Sequence, residues 1–415
     1  MKTIEIKTVE VNTADNCASP DLISVEQAIE KILSQAVPVI ETESVDVLDA
    51  LNRVLAEELL STINVPGYDN SAMDGYAIHS ADCQTTGSIL PVSQRIPAGQ
   101  VGATLEKGTA ARIFTGAPIP EGANSVVMQE MCESDGNNVV INMVAEAGSN
   151  VRRAGEDIAQ GGVVLNAGKR LRAQELGLLA SVGLADFNVK RKLKVAIFFT
   201  GDEIVSPGQP LKPGQIYNSN RYTLHGLLQA LGCEIVDLGI VPDTLEATVD
   251  VLKKSVSGTD MVITSGGVSV GEEDYVRIAL EKLGELSMWR IAMKPGKPVA
   301  FGKVDKTLFM GLPGNPVSVF VTFLLFARPL ILKLQGVDNY LAKYTSVIAD
   351  FDWASVKRQE YLRVRLEQEN GKIIAQLYPH QGSGVLSSAS WADGLVEVAI
   401  GAEIKKGDTV KYLAF

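Results

Sequence analysis

The stretch that decides the fold is Ser265-Gly-Gly-Val-Ser-Val-Gly271, which follows the apolar run Met261-Val-Ile-Thr264. A second apolar run, Val195-Ala-Ile-Phe-Phe-Thr200, also stops at a glycine and then at two acidic residues. Short β-branched runs that stop at such turns, with amphipathic helices between them, predict a parallel α/β sheet. Ligands of such sheets bind beyond the carboxyl ends of the strands, so we expect a site at this edge.

Composition limits the possible partners and compartments. The chain has 415 residues, which is too long for one core and predicts roughly two to four domains. The formal charge of −11 argues against nucleic acid as the main partner, because a phosphate-binding surface must be basic. Residues 1–20 lack the pattern of a signal peptide, and the apolar run 317–327 is too short to span a bilayer. We therefore expect a cytoplasmic protein with no membrane partner.

Cysteine and histidine usage limits the metal chemistry. The 4 cysteines are isolated in the sequence, so neither a disulfide framework nor a zinc site is expected. With only 3 histidines in the chain, any metal should be a hard ion held by carboxylates.

The order of the patterns predicts a multidomain α/β protein in which a β domain is inserted on a stalk. From the N-terminus, the predicted parts are a loose tail (1–21), an α/β domain (22–41 and 193–338), a stalk (42–68 and 151–192), the inserted β domain (69–150) and a small C-terminal β-barrel (339–415). A capping box at Ser24 and Gln27 starts the first helix. A second helix is predicted over 50–60, and Asn370-Gly371 predicts a hairpin in the barrel.

The glycine-rich loop 265–271 is a candidate phosphate site. Its glycines allow a ligand to approach the backbone closely, and free N–H groups at the start of the next helix attract phosphate. The loop matches neither the dinucleotide fingerprint nor the P-loop. An ordinary tight turn is the alternative.

Three carboxylates are candidate metal ligands. Glu203, Asp243 and Asp274 each follow a strand or its glycine turn, so they can converge on one edge of the sheet. A carboxylate cluster beside a phosphate site suggests Mg²⁺ that bridges protein and substrate oxygens. For Asp243 the alternative is an N-cap of the next helix.

Two lysines are candidates for binding an oxyanion. Lys294 and Lys297 flank a Pro-Gly turn that fixes their separation. Solvated surface lysines are the alternative. Asn315-Pro316 starts an apolar helix, whose N-terminus would face the same anion.

Six motifs occur in order along the chain and together resemble a known family. They are Pro66-Gly-Tyr-Asp-Asn-Ser-Ala-Met-Asp-Gly-Tyr-Ala77, Arg152-Arg-Ala-Gly-Glu-Asp157, Thr200-Gly-Asp-Glu203, Thr264-Ser-Gly-Gly-Val-Ser-Val-Gly271 with Asp274-Tyr275, Lys294-Pro-Gly-Lys-Pro298 and Leu312-Pro-Gly-Asn-Pro-Val-Ser318. With these motifs the chain resembles the MoeA family of molybdopterin molybdenumtransferases, to which the gephyrin E domain is related. The resemblance covers about residues 22–415.

The resemblance implies a reaction, an assembly and a set of site residues. It implies a homodimer with a MogA-like α/β domain that takes adenylylated molybdopterin and molybdate, inserts molybdenum and releases AMP with Mg²⁺ present. The implied catalytic residues are Asp74 and Thr115 in the β domain and Glu203 and Asp274 in the α/β domain. The implied substrate-binding residues are Asp157, Ser265, Gly266, Gly267, Ser269, Lys294, Lys297, Pro313, Pro316, Ser318, Arg363 and Ser383. Of these, Lys294, Lys297, Ser318, Arg363 and Ser383 are the candidates for binding molybdate or the pterin phosphate.

Two other functions are compatible with part of the sequence. A molybdopterin adenylyltransferase shares the α/β domain but does not need residues 42–192 or 340–415. A non-enzymatic scaffold is the second alternative, because gephyrin relatives anchor receptors through this domain. If the chain is the molybdenumtransferase, the adenylyltransferase and recipient molybdoenzymes are its expected protein partners. The sequence leaves open whether water or a molybdate oxygen attacks the adenylate.

Overall fold

A computed structural model of the chain describes residues 22–267 and 275–415. The chain divides into two compact units. One unit contains the described residues up to Glu41 together with Lys190–Phe415, and the other is Thr42–Val189. The second unit is therefore inserted in the sequence of the first.

The described part begins with a short strand and an amphipathic helix. These are β1 (Leu22–Ile23) and α1 (Val25–Ser34). The Gln27 backbone N–H donates to the Ser24 hydroxyl at 3.1 Å, and the Ser24 N–H donates to Gln27 Oε1 at 3.0 Å. This confirms the predicted capping box.

The inserted unit is built mainly from short β-strands. Its elements are β2 (Thr42–Asp46), β3 (Leu59–Leu60), β4 (Asn70–Ser71), β5 (Gly75–Ile78), β6 (Ser88–Ile96), β7 (Ala110–Ile113), β8 (Ser125–Met128), β9 (Cys132–Ser134), β10 (Asn138–Ile141), β11 (Val151–Arg152), β12 (Val163–Leu165), α2 (Ala173–Ser181) and β13 (Asp186–Lys190). Six strands form one sheet in the order β8-β5-β7-β6-β10-β9. The connecting segments pair as β2 with β13, β3 with β12 and β4 with β11.

The helix predicted over residues 50–60 is wrong. Asn52 adopts a φ of +65°, and Val54 and Leu55 form isolated bridges to Arg170 and Val189. Ala50 and Leu55 are buried in a small core shared with residues of the returning segment. The apolar spacing resembled a helix, but pairing with a distant segment buries the same residues without one.

The α/β domain contains a seven-stranded sheet. Its elements after the inserted unit are β14 (Lys194–Thr200), β15 (Ile204–Val205), β16 (Ile216–Tyr217), α3 (Ser219–Ala230), β17 (Glu234–Val241), α4 (Leu245–Val256), β18 (Met261–Ser265), α5 (Tyr275–Leu283), β19 (Glu285–Ile291), β20 (Met293–Lys294), β21 (Pro298–Val304), β22 (Thr307–Leu312), α6 (Pro316–Thr322) and α7 (Arg328–Leu334). A π-helical segment, Phe323–Ala327, joins α6 to α7. The strand order is β1-β19-β21-β22-β18-β14-β17.

The predicted parallel sheet is confirmed where the candidate motifs lie. Strands β22, β18, β14 and β17 are parallel. Strand β21 runs antiparallel to both of its neighbours, β19 and β22. A two-residue turn at Asp305 and Lys306 joins it directly to β22, which requires that pair to be antiparallel. Ser265 pairs with Phe199 on one side and Leu312 on the other, so β14, β18 and β22 end at the same edge.

One helical run of the described chain is long and apolar enough to cross a membrane. This run, Pro316–Leu334, has 83% of its most apolar window buried inside the protein. Such burial is typical of a core helix.

The C-terminal region forms a small closed barrel, as predicted. Its elements are β23 (Tyr344–Ala349), β24 (Trp353–Ala354), β25 (Gln359–Glu369), β26 (Lys372–Leu377), α8 (Leu386–Trp391), β27 (Gly394–Val398), β28 (Glu403–Ile404) and β29 (Thr409–Ala414). The strands pair in the order β25-β26-β23-β29-β27, and β27 closes the barrel by pairing with β25. Glu369 pairs with Lys372, so the hairpin at Asn370 and Gly371 is confirmed.

Candidate functional site

A cavity of about 790 Å³ lies in the unit that contains the α/β domain and the barrel. Its wall includes the ends of β14, β18 and β22 and loops from the barrel. The residues that line it are Thr200, Glu203, Ile204, Ile216, Tyr217, Asn218, Ser219, Asn220, Ser265, Gly266, Lys294, Pro295, Gly296, Lys297, Pro298, Pro313, Gly314, Asn315, Pro316, Ser318, Arg358, Gln381, Gly382 and Ser383. The sheet edge expected to carry a site therefore borders the cavity.

Glycines with positive φ follow two of the strand ends that border the cavity. Gly201 has a φ of +144°, and a Cβ there would lie 2.6 Å from Glu203 Oε2. Gly267 has a φ of +62°, and a Cβ there would lie 2.8 Å from Val276 Cγ2. A larger residue at either position would therefore be strained and would displace its neighbours. Ser265 and Gly266 line the cavity, whereas Gly201 and Gly267 do not.

Two asparagines hold the turns of the cavity wall in place. The Asn218 side chain caps α3 by accepting a hydrogen bond from the Arg221 N–H at 3.1 Å. Asn220 Nδ2 donates to the Ser265 hydroxyl at 3.2 Å and to the Gly314 carbonyl at 2.7 Å. Asn220 thus links the end of β18 to the turn before α6. Sequence reasoning missed both asparagines, although the capping preference of Asn before a helix was an available signal for Asn218.

The two predicted lysines differ in their surroundings. Lys294 Nζ lies 3.2 Å from Glu360 Oε2 and 5.9 Å from the centre of the Trp353 ring. Lys297 is exposed and has no carboxylate oxygen within 4 Å of its ammonium group in the described part of the chain. The structure therefore leaves the charge of Lys297 available to a ligand, whereas Glu360 offsets that of Lys294.

The start of α6 and a barrel loop meet at the cavity. Pro316 occupies the first turn of α6, as predicted, where its missing N–H costs no helical hydrogen bond. The Val317 N–H donates to the Ser383 carbonyl at 2.9 Å. Pro313, Ser318 and Ser383 all line the cavity, so these three candidates lie together.

Arg363 occupies a different position from the other cationic candidates. It is only 1% exposed and does not line the cavity. Its guanidinium donates to the Ser388 hydroxyl at 3.1 Å and to the Gly382 carbonyl at 3.2 Å. Burial lowers the pKa of Arg363 to about 10, so the group stays charged at neutral pH. In this arrangement Arg363 supports the loop that carries Ser383.

The predicted metal ligands are not all brought together. Glu203 lines the cavity, but Asp243 does not. The N-cap of α4 is Thr244, whose hydroxyl accepts from the Ala247 N–H at 3.3 Å, so the N-cap alternative for Asp243 is wrong. Asp274 and Ser269 lie outside the described residues. Within residues 22–267 and 275–415, no group of three or more His, Cys, Asp or Glu side chains is placed to hold a metal.

The inserted unit contains a second candidate region, the pair Asp74 and Thr115. Gly75 pairs with Ile113, so these two residues lie just beyond adjacent ends of antiparallel strands. Asp74 Oδ1 accepts from the Thr115 N–H and from the Thr115 hydroxyl, both at 2.8 Å. These two bonds hold the pKa of the half-exposed Asp74 carboxyl below its usual value. The third candidate in this unit, Asp157, is exposed.

Family models match most of the chain. The model of the MoeA N-terminal region (domain I and II) matches residues 23–183. The model of a probable molybdopterin binding domain matches residues 196–333, and that of the MoeA C-terminal region (domain IV) matches residues 346–415. The chain belongs to the MoeA family.

Individual members of the MoeA family are similar over nearly the whole chain. A molybdopterin molybdenumtransferase from Haemophilus influenzae is 41% identical over 88% of this chain and 92% of its own length. Gephyrin from Dictyostelium discoideum is 35% identical over 77% of this chain and 50% of its own length. A crystal structure of the molybdopterin biosynthesis moeA protein from Pyrococcus horikoshii covers 95% of this chain and 100% of its own, with a TM-score of 0.80 and 30% identity.

Proposed function

We propose that this protein inserts molybdenum from molybdate into adenylylated molybdopterin and releases AMP. The observation that carries the proposal is the cavity that the MoeA motifs border. It combines the lysines of the Lys294-Pro-Gly-Lys-Pro298 turn with the hydroxyls of Ser265, Ser318 and Ser383. Both substrates are anions, and cationic and hydroxyl groups are what such ligands require. The names of the related molybdenumtransferases support the same reaction.

The lining also favours one kind of chemistry. No cysteine or histidine is found among the described residues that line the cavity. A covalent step on a thiol or a Ser-His pair therefore has no support there. The arrangement is suited to binding and orienting two anions, so that water or a molybdate oxygen cleaves the adenylate.

We further propose that Mg²⁺ assists this reaction and that Glu203 helps to hold it. Glu203 is the one carboxylate among the described lining residues. Mg²⁺ is commonly bound by one or two carboxylates together with water and substrate phosphates, so this donor fits a metal shared with the substrate. When bound, the ion would neutralise phosphate charge. Sequence alone proposes Asp274 and Asp243 as further ligands.

We propose that the protein is cytoplasmic and assembles as a homodimer. The inserted unit exposes several large apolar side chains, including Leu48 at 86%, Leu51 at 52% and Leu60 at 49%. Singly exposed apolar side chains are also normal on monomer surfaces, so the proposed homodimer rests on membership of the MoeA family. Asp74 and Thr115 are the proposed catalytic contribution of this unit, and Asp157 is a proposed binding residue.

The alternatives receive less support. An adenylyltransferase of the α/β type would not need the regions that match the MoeA N-terminal and C-terminal models. For a non-enzymatic scaffold, the similarity to gephyrin spans half of that protein's length. Neither alternative explains the combined motifs as directly as molybdenum insertion does.

The proposal is tested by making cofactor in vitro. Purified protein is incubated with adenylylated molybdopterin, molybdate and Mg²⁺, and the mixture is added to a molybdoenzyme that lacks its cofactor. We expect the molybdoenzyme to regain activity only when both substrates and the protein are present. In a parallel reaction with molybdopterin, ATP and Mg²⁺ but no molybdate, formation of adenylylated product would instead support the adenylyltransferase.

A further inference from the structure

The cavity carries an excess of positive charge, and one of its cations lies outside the six sequence motifs. Its described lining has three cations, Lys294, Lys297 and Arg358, and one carboxylate, Glu203. This balance of two extra positive charges occurs in a chain whose formal charge is −11. A local field opposite in sign to the net charge of the protein indicates an anion site. Arg358 belongs to none of the six motifs.

Arg358 differs from Lys294 in how its charge is compensated. Glu360, whose side chain is 11% exposed, lies 3.2 Å from the Lys294 ammonium group. Arg358 is half-buried as a residue, and its guanidinium has neither an ion pair nor a side-chain hydrogen bond within the described residues. A guanidinium that borders a cavity without a protein partner has its N–H donors available, and an anionic ligand there could accept from them.

The backbone around Arg358 is held firmly, so its position at the cavity is defined. The Ser355 hydroxyl donates to the Arg358 carbonyl. The next residue, Gln359, donates its N–H to the Ala292 carbonyl at 2.8 Å and begins β25, which pairs with β20. The barrel thereby places Arg358 beside the strand that leads into the Lys294 turn.

We propose that Arg358 binds an oxyanion of the substrates in this cavity, together with Lys297. The inference rests on the proposed function for the identity of the ligand, which is either molybdate or a phosphate group of the adenylylated pterin. A guanidinium presents parallel N–H donors to two oxygens of one anion, whereas an ammonium acts as a point charge. Arg358 thus supplies directional recognition that the two lysines cannot.

The test measures binding directly, without turnover. Molybdate and AMP are titrated separately by calorimetry into wild type, Arg358→Gln, Arg358→Lys and the control Lys357→Gln, which removes an exposed neighbouring charge outside the cavity. Arg358→Gln should weaken the binding of at least one probe by about tenfold, and Arg358→Lys should weaken it by less. Lys357→Gln should leave the affinity for both probes unchanged. A loss confined to molybdate assigns Arg358 to that anion, and a loss confined to AMP assigns it to a phosphate.

Failure of this inference is distinguishable from failure of the proposed function. If Arg358→Gln binds both probes like wild type while retaining the same melting temperature, the inference is wrong even if wild type inserts molybdenum. Equal losses in Lys357→Gln, or a wild type that binds neither probe, would also overturn it. If wild type inserts no molybdenum but binds a probe through Arg358, the anion site stands and the proposed reaction fails.

Discussion

Charged groups are treated differently in the two candidate regions. The cavity beside the α/β sheet leaves charged side chains without partners, whereas the pair Asp74 and Thr115 of the inserted unit hydrogen-bonds its carboxylate internally. In the cavity, Lys297 and Arg358 have no ion-pair partner among the described residues. In the inserted unit, Asp74 already accepts two hydrogen bonds from one neighbour. The first region is therefore prepared to receive a ligand, and the second to hold one carboxylate ionised in a fixed position.

The difference follows from how each fold places its residues. A parallel sheet brings the ends of β14, β18 and β22 to one edge, where loops diverge and leave space between side chains. An antiparallel pair brings the residue before one strand into contact with residues after its neighbour, as it does for Asp74 and Thr115. The contrast predicts that substitutions in the cavity change substrate binding or abolish turnover, whereas changes to the pair mainly alter the pH dependence.

The largest effect is expected for Glu203→Gln, which removes the one carboxylate of the described cavity lining. AMP release from adenylylated molybdopterin should fall by about a hundredfold or more, the magnitude typical of losing a catalytic carboxylate. The neighbouring Asp202→Asn removes an exposed carboxylate outside the cavity and should leave the rate unchanged. If both variants retain the wild-type rate at saturating Mg²⁺, the cavity is not the place of reaction.

A smaller effect is expected for Lys297→Gln. This lysine lines the cavity with its charge uncompensated among the described residues, so its loss should raise the half-saturating molybdate concentration by about tenfold. The matched control is Lys306→Gln, an exposed lysine in the turn between β21 and β22. The measurement is the molybdate dependence of cofactor formation. An unaltered half-saturation value in Lys297→Gln would make this lysine an ordinary surface charge.

The smallest effect is expected for Thr115→Val. The substitution keeps the Thr115 N–H but removes the hydroxyl that donates to Asp74, so the pKa of Asp74 should rise toward its ordinary value. As the pH falls, Asp74 would then become protonated at a higher pH than in wild type. The acid limb of the rate profile should therefore move to higher pH. At neutral pH the rate should fall only by about threefold, roughly the net free energy of one hydrogen bond.

Thr115→Ser provides the control for the pair. It retains the hydroxyl and should keep the wild-type profile. Equal shifts in the valine and serine variants would mean that the methyl group, rather than the hydrogen bond, matters. An unmoved acid limb in Thr115→Val would show that ionised Asp74 does not limit the reaction.

The sequence predicted the features that depend on turn-forming residues close by in the chain. Strand ends at Thr200 and Ser265, the Pro-Gly turn between Lys294 and Lys297 and the barrel hairpin at Asn370 are encoded by glycine, proline and asparagine at particular backbone positions. Such signals require no knowledge of distant contacts.

The features that sequence reasoning missed depend on contacts between distant segments. Arg358 reaches the cavity because β25 pairs with β20, a relation that no nearby motif indicates. Ala50 and Leu55 are buried by the returning segment, which their helical spacing concealed. Arg363 was predicted to bind molybdate or the pterin phosphate, but only packing reveals that it is buried and supports the loop of Ser383.

The central claim is that one reaction consumes both anions, and its most direct test is a stoichiometry. Wild-type protein is incubated with adenylylated molybdopterin and Mg²⁺, molybdate is added in increments, and AMP released and molybdenum bound to the pterin are measured in the same samples. We predict AMP and bound molybdenum in equal amounts, with little of either before molybdate is added. AMP release that leaves no molybdenum on the pterin, or molybdenum bound without AMP release, would contradict the account.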